Sequence, residues 1–217
     1  MIMDKKAYWN KRFQKEGYVW GTAPSPTAEY AIEIFRKDEA KKILVPGSGY
    51  GRNTKPFSES GFQVTGLEIS DTACEMAREY DPQTRAYNGS VLDMSMVPGQ
   101  FDAVYCYNVL HLFREEERFL CLQQCAEKVK DNGLLFFTAF SEREPSFGRG
   151  QEVEKNTFES RPGRPVHHFT EAELHDYFQD FQTIESGITE DYEDHGEGPH
   201  THVLLYILAR KNSNKII

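Results

Sequence analysis

The stretch Ile43-Leu44-Val45-Pro46-Gly47-Ser48-Gly49-Tyr50-Gly51-Arg52-Asn53 decides how this chain folds. A short apolar run enters a loop with glycine at three alternating positions. Without a Cβ at Gly47, Gly49 and Gly51, the loop can turn tightly and bring its backbone close to a ligand. Residues 53–60 then read as a helix, with Pro56 tolerated in its first turn, where a missing N–H costs nothing. Residues 62–68 read as a second strand that ends on Glu68. Strand, glycine turn, helix, strand, carboxylate is how an α/β protein holds an adenosine-containing ligand at the C-terminal edge of its sheet. Arg52 stands where the dinucleotide fingerprint has its third glycine or alanine. No Gly-Lys-Ser/Thr follows, which excludes a Walker phosphate cradle. Glu68 is placed to accept hydrogen bonds from both hydroxyls of a ribose.

Upstream, residues 4–16 read as a helix carrying Tyr8, Trp9, Arg12 and Phe13, stopped by Gly17. The aromatic stretch Tyr18-Val19-Trp20-Gly21 follows. It is either a packing clamp or a lid over a ligand, and one segment can be both. Thr27 reads as the N-cap of a helix reaching residue 38. Residues 1–40 thus form an N-terminal helical cap. Downstream, Ser70 or Asp71 caps a helix with Ala73, Met76, Ala77 and Tyr80 inward, and a short strand at 84–87 meets the turn Asn88-Gly89. Phe101-Asp102-Ala103-Val104-Tyr105-Cys106-Tyr107 is nearly all apolar or aromatic, as a strand covered on both faces should be. A helix at 115–130 carries the stripe Phe119, Leu120, Leu122, Cys125, Ala126 and Val129. Asp131-Asn132-Gly133 ends it, and residues 134–140 form a fifth strand.

The rhythm breaks at residues 141–168, which are poor in apolar side chains and contain Arg143, Arg149, Arg161 and Arg164. The segment is too long for an ordinary connection, so it reads as a substrate lid or a mobile insertion. Thr170 then caps a helix with acids in its first turn. Two last strands, 181–188 and 202–209, flank a polar loop at 189–201. Alternating strands and helices mean a parallel sheet covered on both faces, whereas a short final connection demands an antiparallel hairpin. The expected fold is a doubly wound, Rossmann-like α/β domain spanning 1–217, with a seven-stranded, mostly parallel sheet and an antiparallel C-terminal hairpin.

At 217 residues, 39% hydrophobic and 27% charged, the chain has the composition of an ordinary globular protein. A formal charge of −9 with no basic block argues against nucleic acid or an anionic membrane as partner. No apolar run approaches the roughly 20 residues of a membrane span. The N-terminus, Met1-Ile2-Met3-Asp4-Lys5-Lys6, lacks the apolar core of a signal peptide. Cys74, Cys106, Cys121 and Cys125 form no CxxC pair and read as buried reduced thiols, which points to the cytoplasm.

Val-Pro-Gly-Ser-Gly-Tyr-Gly-Arg-Asn, followed by Gly-Phe-Gln-Val-Thr-Gly-Leu-Glu-Ile-Ser, resembles the first two motifs of class I S-adenosylmethionine-dependent methyltransferases. Gly-Gln-Phe-Asp-Ala-Val-Tyr-Cys-Tyr-Asn-Val-Leu-His-Leu-Phe is similar to that family's fourth-strand motif. The resemblance spans about residues 40–140. Phe147-Gly148-Arg149-Gly150 through His167-His168-Phe169, and Gly198-Pro199-His200-Thr201-His202, resemble tellurite-resistance-like members. The Val-Pro-Gly turn and Tyr8-Trp9-Asn10-Lys11-Arg12-Phe13 are similar to thiopurine methyltransferases. The resemblance implies S-adenosylmethionine as cofactor. Gly47, Gly49 and Gly51 would face its methionine part, Glu68 its ribose and Ile69 its adenine. The family often has an acid directly after the position of Gly89. Here that residue is Ser90, so the adenine contact stays open between Ser90, the Val91 backbone and Asp93. The Cys106 and Tyr107 backbone would meet the cofactor's amino group, beside the switch point of the sheet.

The implied activity is in-line methyl transfer to a small-molecule acceptor by a monomer or homodimer. His111, just past the fourth strand, is either a general base or a helix-start residue without chemistry. Tyr8, Trp9 and Trp20 would wall an apolar acceptor pocket. Arg149 and Arg164 would attract an anionic acceptor, or merely keep the 141–168 segment soluble. His167, His168, His195, His200 and His202 match no compact ligand spacing, so no metal is expected. A non-catalytic S-adenosylmethionine-binding protein and an NAD-dependent oxidoreductase are the competing readings. Arg52 and the terminal hairpin disfavour the second.

Overall fold

A computed structural model describes residues 4–195 and 198–213; Met1–Met3 lie outside the described residues. Seven strands form the main sheet in the order β3-β2-β1-β4-β5-β10-β9. β1 (Lys42–Pro46), β2 (Gln63–Glu68), β3 (Arg85–Asn88), β4 (Phe101–Tyr107) and β5 (Val129–Phe140) run parallel. β10 (Gly198–Arg210) joins β5 antiparallel and pairs in turn with β9 (Gln182–His195). The doubly wound sheet and its closing hairpin are those expected from the sequence.

Two core clusters fill the faces of the sheet. One gathers Leu44, Leu67, Val104, Phe137, Ile207 and α5 (Glu115–Lys128). The other packs Ile43, Val45, Tyr105 and Phe136 against α2 (Pro26–Lys37) and Phe57 of α3 (Thr54–Glu59). Strands β1 and β4 are buried along almost their whole length because helices cover both faces. A third, aromatic cluster joins Phe13, Val19 and Tyr50, with Trp9 and Trp20 packed on it. It docks α1 (Lys5–Glu16) onto the glycine loop and onto α4 (Asp71–Tyr80).

Several local expectations need correction. α2 starts one residue after Ser25, with Pro26 at its first position, and Thr27 lies inside it. A proline with φ preset for helix wins the start, and the Thr27 hydroxyl is engaged by the Tyr105 hydroxyl at 2.8 Å. β5 begins directly at Val129, so Asp131-Asn132-Gly133 sits within the strand. Asn132 is at φ +64°, and the register shifts between Phe101 and Ala103. Phe119 and Leu120 of α5 are exposed, and Phe119 stacks on Tyr177 with ring centroids 4.4 Å apart. Residues 141–168 are not irregular throughout. β6 (Gln151–Glu154), β7 (Thr157–Glu159) and β8 (Pro165–His167) form a small antiparallel sheet of their own. Nor are 189–195 and 198–201 loop: the hairpin strands run on to His195 and begin again at Gly198. Asp191 and Glu193 point inward while Tyr192 faces solvent, so the strand alternates, but with acids on its buried side. Thr170 caps α6 (Glu171–Tyr177) as expected, its hydroxyl accepting from Glu173 N–H at 3.1 Å.

Candidate active site

The C-terminal ends of β1, β2 and β4 open into a cavity of about 790 Å³. This is the crevice where open α/β sheets bind their ligands. β1 leads straight into the glycine turn. Gly47 is at φ +66°, and a Cβ there would lie 2.4 Å from Val109 Cγ2. The turn therefore closes against the segment after β4 only as glycine. Gly49 is at φ +55° and donates its N–H to Glu68 Oε2 at 2.9 Å. Glu68 Oε1 accepts from Ser70 N–H at 2.8 Å. Burial raises the Glu68 carboxyl above its usual range, and the backbone N–H groups oppose that rise. The carboxylate is thus fixed at the end of β2, beside the glycine turn, on the cavity wall.

Of the residues singled out from the sequence, the cavity wall includes Gly47, Gly49, Glu68, Ile69, Ser90, Val91, Tyr107, His111, Tyr8, Trp9, Trp20, Arg149 and Arg164. Gly51, Asp93 and Cys106 are not on it. Gly51 turns the chain against Thr54, Tyr80 and Asp81. Asp93 is exposed and accepts from Ser95 N–H, which leaves Ser90 and Val91 as the cavity-lining members of the adenine set. The Cys106 side chain is fully buried in the core, and burial pushes its thiol up.

His111 does not offer a base. Phe140 N–H donates to its Nδ1 at 3.3 Å, so in the neutral ring the proton sits on Nε2. Burial, reinforced by His168 and His202, holds the ring well below the usual histidine range. It stacks on Phe140 with centroids 3.9 Å apart.

Sequence reasoning missed the second half of the site. Arg52 is buried, donates from Nε to Ala23 O at 2.7 Å and pairs with Glu193 at 2.5 Å, with Asp191 3.8 Å away. Tyr107 donates its hydroxyl to Asp191. One arginine thereby ties the glycine loop to the N-terminal cap and to the far hairpin. Burial disfavours charge on His202, yet the carboxylates of Glu144 and Glu193 outweigh it and push the ring up to about 9. Ser48, Asn108, Phe113, Phe158 and His168 also line the cavity. The inward acids of β9 were the available signal: charges at alternate positions of a strand whose partner carries His200 and His202. The His195 side chain lies outside the described residues.

The hydroxyls, carboxylates and glycine turn suit a nucleoside attached to an amino acid, and the aromatic wall suits an apolar acceptor beside it. Residues 44–137 match the family described as "Methyltransferase domain". A mitochondrial ubiquinone biosynthesis O-methyltransferase of Schizosaccharomyces pombe is 30% identical over 126 residues, 54% of this chain and 45% of that protein. A glycine/sarcosine N-methyltransferase of Aphanothece halophytica is 27% identical over 149 residues, 62% of this chain and 56% of that protein. The chain thus spans about half the length of the curated relatives it matches. Magnesium protoporphyrin IX methyltransferase from Synechocystis, solved with S-adenosylmethionine bound, superposes with a TM-score of 0.68 at 15% identity, over 97% of this chain and 98% of that one. Over residues 44–137 the chain is similar to this methyltransferase family, and its fold is that of the solved S-adenosylmethionine-dependent methyltransferases.

Proposed function

We propose that the protein transfers a methyl group from S-adenosylmethionine to a small-molecule acceptor. The observation that carries this reading is the buried Glu68 carboxylate, held by Gly49 N–H at the rim of a turn that only glycine can close against Val109. Glu68 holds the ribose, Ile69 and Val91 flank the adenine with Ser90 beside it, and the Gly47–Gly49 backbone faces the amino-acid end. The cofactor supplies a methyl group already activated on a sulfonium sulfur. The chain's task is then alignment and exclusion of water, and proximity and orientation alone lower such a barrier by up to roughly 7–11 kcal/mol.

The acceptor side is built from other elements. Tyr8, Trp9 and Trp20 line it from the cap, and Arg149, Phe158 and Arg164 from the 141–168 segment. Arg164 lies over the Tyr8 ring at 5.0 Å, joining the two walls. We assign residues 141–168 as a substrate lid, and an electron-rich or anionic acceptor with an apolar body fits its lining. The likeness to relatives named for both O- and N-methylation leaves the accepting atom to chemistry in the site. Four free thiols fit a reducing, cytoplasmic setting. Among the described residues no helix is long and apolar enough to cross a membrane.

Calorimetry with S-adenosylhomocysteine should give one saturable site per chain, and NAD should give none. A screen with labelled methyl donor against thiols, phenols, amines and chalcogen oxyanions should then find the acceptor. A folded chain that fails to bind S-adenosylhomocysteine would sink the reading. Binding without transfer to any acceptor class would leave a non-catalytic cofactor-binding protein.

A further inference from the structure

The hairpin side of the cavity holds a cluster that cofactor binding does not use. Register places Glu193 of β9 opposite His200 of β10, with His202 two residues further on and therefore on the same face. His200 Nδ1 lies 2.9 Å from Gly198 O, and His202 Nδ1 lies 2.8 Å from Glu144 Oε1. A carbonyl and a carboxylate only accept, so both rings carry a proton on Nδ1. Both then turn Nε2 toward the same point, and those two nitrogens are 3.2 Å apart. A proton or a cation lies between two imidazole nitrogens at that distance. Glu193 Oε2 is 3.6 Å from His202 Nε2, and the three donor atoms all fall within 4.8 Å of one another.

These spacings have a chemical meaning. A tetrahedral ion with metal–ligand distances of about 2.0–2.2 Å sets its ligand atoms roughly 3.3–3.6 Å apart. The ligands are also held from behind, as metal-binding histidines are. Glu144 orients His202 through one oxygen and accepts Val203 N–H with the other at 2.8 Å. Arg52 holds Oε1 of Glu193, and Oε2 is the oxygen that faces His202. Phe140 stacks on the His202 ring with centroids 4.9 Å apart. Charge points the same way: the carboxylates of Glu144, Asp191 and Glu193 are each less than one-tenth exposed, so positive charge beside them is favoured.

We propose that Glu193, His200 and His202 form a binding site for a first-row divalent cation, with Zn²⁺ the best match to two imidazoles and one carboxylate. The site stands apart from the cofactor reading. Its use in catalysis rests on that reading. Three protein ligands leave one position open on the cavity side, where a hydroxyl or thiol of the acceptor can coordinate. Coordination lowers the pKa of that group, and its proton leaves to solvent. The freed lone pair forms the new bond to methyl carbon while the sulfonium sulfur keeps the electrons of the bond that breaks. The cation thereby takes the part of the base that His111 cannot play.

The test uses the full chain without a histidine tag, stripped with chelator. Titration with ZnCl₂ should show one equivalent bound, and Co²⁺ should develop the intense visible bands of a four-coordinate ion. His200→Ala and His202→Ala should each weaken Zn²⁺ binding by about 100-fold, and Glu144→Gln by about 10-fold. S-adenosylhomocysteine affinity, measured on the same samples, should stay unchanged and certifies the fold. Absence of saturable Zn²⁺ binding by the native chain, or only the weak bands of hydrated Co²⁺, overturns the site without need of any variant. Unchanged Zn²⁺ affinity in a folded His200→Ala/His202→Ala chain does the same. Zn²⁺ binding by a chain that ignores S-adenosylhomocysteine overturns the acceptor role and the methyl-transfer reading with it.

Discussion

The glycine-loop half of the cavity and its hairpin half are built on different principles. Residues 43–70 make their wall from backbone: a turn at positive φ, two N–H donors and one carboxylate, all within a few tens of residues. The hairpin half is made of side chains brought together from far apart in the chain, Arg52, Glu144, Asp191, Glu193 and His202. Backbone geometry tolerates one residue type at each turn and leaves a local trace. A side-chain network can be assembled from any strands the topology makes adjacent. Arg52 is the hinge between the two, since it starts one residue past the glycine loop and ends on the hairpin.

Cutting that hinge should have the largest effect. Arg52→Met leaves Asp191 and Glu193 buried without their arginine, and breaking a buried pair from one side costs about 3–5 kcal/mol. Urea denaturation should show the loss, and Arg52→Met/Asp191→Asn/Glu193→Gln should recover part of it. No recovery in the triple variant would mean that Arg52 acts through Ala23 O and packing, not through the acids. Next comes Glu68→Gln. It keeps the shape but removes the charge that the ribose hydroxyls meet, a loss of about 2 kcal/mol, or roughly 30-fold in S-adenosylhomocysteine affinity. Equal affinity of Glu68→Gln and native chain would take Glu68 out of the cofactor site.

The same contrast explains what could be read from the sequence. Gly47, Gly49 and Glu68 announce themselves because a positive-φ turn and a strand-end carboxylate are local features. The parallel sheet was legible because apolar runs alternate with helical periods up to residue 140, and so was the closing hairpin. Its length was not. Asp191 and Glu193 face inward, so a search for apolar alternation stops at residue 188, although the strand runs to His195. The small sheet at 151–167 was hidden for a similar reason. Its strands have three or four residues, too short for a period to show, and Thr157 and His167 are buried against each other through a 2.8 Å hydrogen bond. Gly51 misled in the other direction: its regular spacing suggested a ligand contact, whereas its neighbours Thr54, Tyr80 and Asp81 show a packing role.

Two glycines at nearly the same φ separate turn strain from close packing. Gly47 is at +66° with Val109 Cγ2 2.4 Å from where a Cβ would stand, while Gly148 is at +75° with nothing within 4 Å. Gly148→Ala should cost only the left-handed penalty of about 1 kcal/mol. Gly47→Ala adds displacement of Val109 and should cost about 2–3 kcal/mol, with weaker cofactor binding as well. Thermal denaturation of the pair measures the difference. Equal shifts would show that Val109 yields freely and that the turn alone demands glycine.

The smallest expected effect lies on the hairpin side and depends on pH. His168 is buried among Phe140, Phe147 and Phe158, with Nε2 3.0 Å from Ser146 Oγ. Burial lowers its pKa from 6.5 to about 4, with Glu144 opposing. The unfolded chain therefore takes up a proton below pH 6.5 that the folded chain refuses until about 4. Where the unfolded state binds more protons, stability falls as pH falls, so the loss grows through this window and levels off near its lower end. His168→Asn keeps a polar side chain but cannot titrate. Its melting temperature should fall less than that of the native chain between pH 7 and pH 4.5, and parallel curves would mean that the ring is protonated in place without cost. The one ionisable ring of residues 47–51 is the Tyr50 phenol, which burial raises above its usual range and out of this window, so Gly47→Ala should track the native pH curve at a constant offset.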